Sequence, residues 1–164
     1  MLIRRADSLL LVVDIQQKLA PAIHDSARVA ANSARLLEGS RLLGVPAFVS
    51  EQYVKGLGPS LEIIRQAAGH ARFFEKTHFS CAAEPGVLAL LRTAQRPQVV
   101  LTGTETHVCV LQTAFGLLAA GFEVFLVSDA AGSRTPENRS AAIERMQAAG
   151  IAIVTTEMVL FEWL

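Results

Sequence analysis

The stretch Leu9-Leu10-Leu11-Val12-Val13 is apolar at every position. A strand wetted on one side alternates apolar and polar residues. An unbroken run belongs to a strand covered on both faces, as in a parallel sheet. Five further strand-like segments follow: Pro46 to Val49, Arg72 to Phe74, Gln98 to Leu101, Glu123 to Val127 and Ile151 to Val154. Helical patterns separate them. One covers Val29 to Leu43 and stops at Gly44, another covers Ser60 to Ala68 and stops at Gly69, and a third covers Pro85 to Thr93 with proline near its first position. The pattern over Thr106 to Ala120 ends at Gly121. The last helix opens with Thr135 as N-cap and Pro136 at its first position, and ends at Gly150. Gly56-Leu57-Gly58-Pro59 reads as a loop. Strand–helix alternation makes βαβ units, whose right-handed crossovers place helices on both faces of a parallel sheet. The 164 residues then form a single domain, 1–164.

Composition narrows the function. Lysine plus arginine equals aspartate plus glutamate, so the formal net charge is zero. With no basic stripe or charged tail, nucleic acid is not an expected partner. No run of about 18 apolar residues suggests a membrane span, and the first residues carry no apolar segment ahead of a small-residue cleavage site. Two cysteines, Cys81 and Cys109, make no disulfide framework, so a reduced, cytoplasmic setting is expected. The hydrophobic share, 51%, and the apolar tail Val159-Leu160-Phe161-Glu162-Trp163-Leu164 point to docking of the tail and to a homo-oligomer.

Ligands of open parallel sheets bind outside the carboxyl ends of the strands. Three reactive side chains follow strand-like runs: Asp14, Lys76 and Cys109. A thiol in the first turn of a helix meets unpaired N–H groups and the positive end of the dipole, which favour thiolate. Cys109 also fits a small buried hydrophobe. Asp14 suits a general base, or equally an N-cap. Lys76 suits a charge clamp, although a single lysine so placed is more often solvated at the surface. His78 and His107 leave a Cys–His arrangement open, although His107 lies only two residues before Cys109. The four histidines form no zinc pattern, and no glycine-rich phosphate loop follows the first strand.

Taken together, Leu11 to Gln16, Phe74-Glu75-Lys76-Thr77-His78-Phe79, Gly103 to Val110 and Asp129 to Arg134 resemble the isochorismatase-like cysteine hydrolase superfamily over nearly the whole chain. The loop from Ser50 to Gly58 resembles the isochorismatase domain-containing subgroup of unassigned substrate. The resemblance implies a catalytic triad of Asp14, Lys76 and Cys109. It also implies a cis peptide at Thr104–Glu105, with N–H groups of Glu105 and Cys109 aimed at an oxyanion. Nicotinamidases of this superfamily carry an Asp-x-His metal motif after the second strand. Here that place reads Glu51-Gln52-Tyr53, so no metal and no cofactor are expected. True isochorismatases cleave a vinyl ether without a cysteine nucleophile.

The expected architecture is a Rossmann-like three-layer α/β/α sandwich with a six-stranded parallel sheet in the order 3-2-1-4-5-6. The expected activity is hydrolysis of a small carbonyl compound, an amide or related C–N bond, through a thioester on Cys109. The expected substrate pocket comprises Gln16, Gln52, Tyr53, Leu57 and Phe79. A silent binding or scaffold protein and a thiol redox protein are the alternatives on the same fold.

Overall fold

The computed structural model describes all 164 residues. Its strands are β1 (Ser8–Val13), β2 (Ala47–Gln52), β3 (Arg72–Lys76), β4 (Gln98–Thr104), β5 (Glu123–Gly132) and β6 (Ala152–Val154). They form one all-parallel sheet in the order 3-2-1-4-5-6, as expected. The helices are α1 (Ser26–Leu43), α2 (Val54–Leu57), α3 (Glu62–Ala67), α4 (Val87–Arg92), α5 (Leu111–Ala119), α6 (Pro136–Ala148) and α7 (Thr156–Trp163).

Every residue of β1 is buried, which is why its sequence does not alternate. Leu10 and Val12 face a core shared with α1, α3 and α7 through Val29, Leu36, Leu37, Ile64, Val159 and Trp163. Leu9, Leu11 and Val13 face the opposite core, built with α4, α5 and α6 through Val87, Leu91, Ala114, Leu117 and Met146. The central strand thus fills both halves of the sandwich. No helix is long and apolar enough to cross a membrane.

Local chemistry sets the element ends. Gly44 stops α1 in the left-handed region (φ 69°), its N–H returning to the Ser40 carbonyl. Thr135 caps α6, its hydroxyl accepting the Asn138 N–H at 3.2 Å, with Pro136 next. Other ends depart from the pattern. Pro85 does not open α4. Gly86, left-handed, precedes the helix instead. The Gly56–Pro59 loop is entered through the one-turn helix α2. β4 and β5 run beyond their apolar runs, because Gly103 pairs with Ala131 and Thr104 with Gly132 in the ladder. The tail is helical and docks on its own domain, with Val159 and Trp163 inward and Met158, Phe161 and Leu164 outward.

β1 lies between β2 and β4, so successive crossovers run to opposite sides and open a crevice between the carboxyl ends of β1 and β4. The two strands close up tightly there. At Gly103 (φ 132°) a Cβ would lie 2.1 Å from the Val13 carbonyl oxygen, a backbone atom that cannot yield. The Gly103→Ala variant is expected to lose at least about 3 kcal/mol of stability, or not to fold, since both the close approach and the dihedral oppose it. Chemical denaturation measures this. A loss under about 1 kcal/mol would mean that the strands part easily there.

Candidate active site

Asp14 is the first residue after β1 and sits at φ 52°. Few residue types tolerate that conformation as well as aspartate does. Its main chain is pinned on both sides. The N–H donates to the Ser50 carbonyl at 3.2 Å, and its carbonyl accepts the Thr104 hydroxyl at 2.6 Å. Its carboxylate accepts from Ser50 Oγ on Oδ1 and from Lys76 Nζ on Oδ2, both at 2.8 Å.

Lys76 ends β3, two strands away from β1. Adjacent strands lie about 4.8 Å apart, so only a long side chain crosses the end of β2 to reach Asp14. The Lys76 side chain is fully enclosed, as is that of Asp14. Its ammonium also donates to Gln52 Oε1 (2.6 Å) and to the carbonyls of His78 (3.1 Å) and Phe79 (3.0 Å).

Cys109 is not in the first turn of an α-helix, as the sequence pattern suggested. Thr106–Val110 forms a wide π-helical turn ahead of α5, and the N–H groups of Val108 and Val110 both donate to the Glu105 carbonyl. Such turns often mark functional positions. The expected cis bond is absent: every peptide is trans, Thr104–Glu105 included. The chain passes through φ 132° at Gly103 and into the wide turn after it.

Asp14, Gln52 and Cys109 open on one cavity of about 330 Å³. Leu19, Leu57, Phe79 and Val108 supply its apolar lining, and Glu105 and Arg134 its charged edge. A larger groove of about 460 Å³, past Glu51, Arg65 and Phe73, holds no nucleophile. Of the residues expected in the pocket, Gln52, Leu57 and Phe79 line it. Gln16 and Tyr53 do not. Gln16 is fully buried, its amide spent on the Gln52 main chain and the Gly58 carbonyl. Tyr53, at φ 36°, turns its ring onto Gly56 and into solvent. Leu19, Val108 and Arg134 were not expected. Arg134 closes a motif visible in the sequence, whereas nothing local marks Leu19.

Glu105 contributes a side chain as well as a turn. Its buried carboxylate accepts from Arg134 Nε at 2.6 Å and the Arg134 N–H at 3.3 Å, with His107 Nδ1 at 3.5 Å. His107 Nδ1 lies 2.9 Å from Ser133 Oγ, and His78 pairs with Glu84. The Nδ1 of each histidine is thus engaged elsewhere, and neither ring bonds to Cys109. Glu51 accepts from the Ser60 N–H and hydroxyl. No three histidine, cysteine, aspartate or glutamate side chains gather in a way that could hold a metal ion.

Burial raises the Asp14 carboxyl above its ordinary value of 3.8, against the pull of the Lys76 charge. Burial also pushes the Cys109 thiol well up, and the Asp14 charge adds to that while Lys76 opposes it. The helix-terminus argument for a standing thiolate is thus outweighed by desolvation. Together the two shifts describe a resting thiol beside a carboxylate made more basic by its surroundings. Cys81, fully buried behind the site, is pushed up to about 11 by burial.

The isochorismatase domain model matches residues 8–158. Isochorismatase domain-containing protein 1 of Salmo salar is 42% identical over 149 residues, 91% of this chain and 52% of that protein. The chain therefore spans about half the length of that relative. The structure of the MAR1 ribonuclease from Caenorhabditis elegans superposes with a TM-score of 0.93 at 35% identity, covering 99% of this chain and 84% of that one. YcaC from Pseudomonas aeruginosa, solved with hexane-2,5-diol and covalent acrylamide, gives 0.91 at 25% identity, covering 98% and 82%.

Cys109 borders the cavity and Cys81 is sealed, so iodoacetamide is expected to label Cys109 first. Because the Cys109 thiol is raised, its labelling rate should climb steadily from pH 7 to 9. Peptide mass spectrometry reads both. Faster labelling of Cys81, or a plateau already at neutral pH, would contradict the description.

Proposed function

The chain belongs to the isochorismatase family, and from that premise we propose that it is a cysteine hydrolase acting on a small amide or related C–N bond. The observation that carries this reading is that Asp14 and Cys109 border one small cavity, with Lys76 enclosed behind it and bonded to the Asp14 carboxylate. A structural role would not require a fully enclosed ion pair beside the one cysteine that borders the cavity. Covalent acrylamide in the Pseudomonas neighbour supports a nucleophile on this scaffold.

In the proposed cycle the Cys109 sulfur attacks the substrate carbonyl while its proton passes to Asp14. Lys76 holds the carboxylate in place and offsets the charge that builds on sulfur and oxygen. The N–H groups of Glu105 and Cys109 are assigned to the oxyanion. Collapse of the tetrahedral species breaks the C–N bond, and the amine leaves with the proton from Asp14. Water then adds to the thioester, again giving its proton to Asp14, and the acid departs with the thiol restored. The apolar walls at Leu19, Leu57, Phe79 and Val108 select a compact substrate. The ribonuclease activity named for the C. elegans neighbour is not carried over. A chain of zero net charge with a small, largely apolar cavity offers little to an RNA backbone.

The outward stripe of Met158 and Phe161 on α7, continued by Leu164 just after it, is the surface on which we expect copies to associate. Light scattering at micromolar concentration should then report a dimer or larger, and a strictly monomeric mass would count against it.

The direct test is a screen of small amides, ureides and esters against wild type, Asp14→Asn and Cys109→Ala. Each variant is expected to lose at least about 10³-fold in kcat, and the double variant little more, since groups acting as one unit are not additive. Activity should fall on the acid side as Asp14 takes up its proton, with a midpoint above the ordinary aspartate value of 3.8. Full turnover in Cys109→Ala would end the proposal.

A further inference from the structure

The Asp14–Lys76 pair leaves one question open: what keeps a long, flexible lysine in a single position? Lys76 Nζ has four oxygen neighbours within 3.1 Å, and only one belongs to its ion-pair partner. Two are carbonyls of its own loop. The fourth and shortest contact, 2.6 Å, is the side-chain amide of Gln52.

The orientation of that amide is determined by its partners. Lys76 has only donors to offer, so the Gln52 oxygen must face it. The Thr77 carbonyl only accepts, and it takes the Gln52 Nε2 at 3.0 Å. Both ends of the amide are therefore engaged, the oxygen by Lys76 and one amide N–H by Thr77, although Gln52 also borders the cavity. Its main chain is fixed as well. Buried Gln16 donates to the Gln52 carbonyl at 2.9 Å, accepts the Gln52 N–H at 2.7 Å and holds the Gly58 carbonyl at 2.8 Å. Gln16 lies two residues beyond Asp14. The contacts thus close a ring that leaves β1 at Asp14, crosses to Lys76, passes through Gln52 and returns through Gln16 to the same segment.

We propose that Gln52 is a positioning residue for Lys76, holding the ammonium against Asp14 and near the Cys109 thiol. The proposal rests on the cysteine-hydrolase reading and adds a residue which that reading does not require. Its physical content is that a neutral acceptor anchors the ammonium while leaving its charge available. Without it, Lys76 keeps the two loop carbonyls and can swing away from the carboxylate, and the thiolate loses its positive neighbour.

The thiol reports this without any known substrate. Cys109 alkylation by iodoacetamide is followed from pH 7 to 9 in wild type, Lys76→Ala, Gln52→Met and Gln52→Asn. Methionine approximates the shape of glutamine without the amide, and asparagine keeps the amide but falls one methylene short of Lys76. Both are neutral, so a shift in reactivity reports the lost contact and not an added charge. In both Gln52 variants the alkylation rate at pH 8 is expected to fall at least about threefold, corresponding to roughly half a pKa unit. Lys76→Ala is expected to fall further. A slowed Lys76→Ala with wild-type rates in both Gln52 variants overturns the role of Gln52 alone. Unchanged alkylation in Lys76→Ala overturns the triad beneath it. Thermal melting is recorded alongside: a lowered melting temperature with an unmoved alkylation profile would make Gln52 merely structural and also overturn the proposal. If Gln52→Met does not fold, Gln52→Asn decides the same question.

Discussion

A carboxylate and an ammonium with no solvent-exposed surface meet at 2.8 Å between Asp14 and Lys76, and the ends of three strands are arranged around that contact. Removing two ions from water costs several kcal/mol each, and their attraction offsets this only when the remaining donors and acceptors are also satisfied. They are: Ser50 occupies the second carboxylate oxygen, and Gln52 with two loop carbonyls surrounds the ammonium. The pair ties β3 to β1 across the end of β2. It also leaves Asp14 under tension between burial, which favours its protonated form, and Lys76, which favours its charge. Burial prevails, and a carboxylate with a raised affinity for protons suits the base of the proposed cycle.

The sheet topology places the rest. Because β1 lies next to β4, Asp14 at one strand end and the turn bearing Cys109 at the other face the same crevice. Gly103 lets the two strands close to a distance that no side chain would permit, and Thr104 then reaches the Asp14 carbonyl. The same closure carries the chain into the wide turn of Thr106–Val110 without a cis bond. Positive φ at Asp14 and Gly103, on facing strands, marks where the backbone departs from regular structure to present the two reactive groups.

Most of the fold was legible because its signals are local. The all-apolar run of β1, the stop at Gly44 and the Thr135–Pro136 start of α6 each follow from side-chain or backbone preferences within a few residues. Asp14, Lys76 and Cys109 stood out as reactive residues after strand-like runs, and the resemblance ranked them; the structure brings Asp14 and Lys76 into contact. What escaped depends on contacts distant in sequence. Gln16 looks like a pocket residue because it follows Asp14, yet its amide is drawn inward by the main chain of Gln52, 36 residues away. Arg134 joins the cavity only because Glu105, 29 residues earlier, holds it there. The π turn replaces a plain helix start because Glu105 accepts two N–H groups, a choice no periodicity records. The expected thiolate failed for a similar reason: a helix-terminus argument counts nearby dipoles, whereas burial by the whole fold governs the thiol.

The account turns on whether Asp14 and Lys76 act as one buried unit, and a double-mutant cycle of unfolding free energies measures that most directly. Asp14→Asn and Lys76→Met each leave one charge enclosed without its partner and are expected to cost about 3–5 kcal/mol. Asparagine tolerates the left-handed backbone at position 14, so the first change isolates the charge. The double variant is expected to cost less than the sum of the two by at least about 2 kcal/mol, because the second removal relieves what the first created. Single changes that cost under about 1 kcal/mol and simply add would contradict the account, since they would mean that neither charge depends on the other.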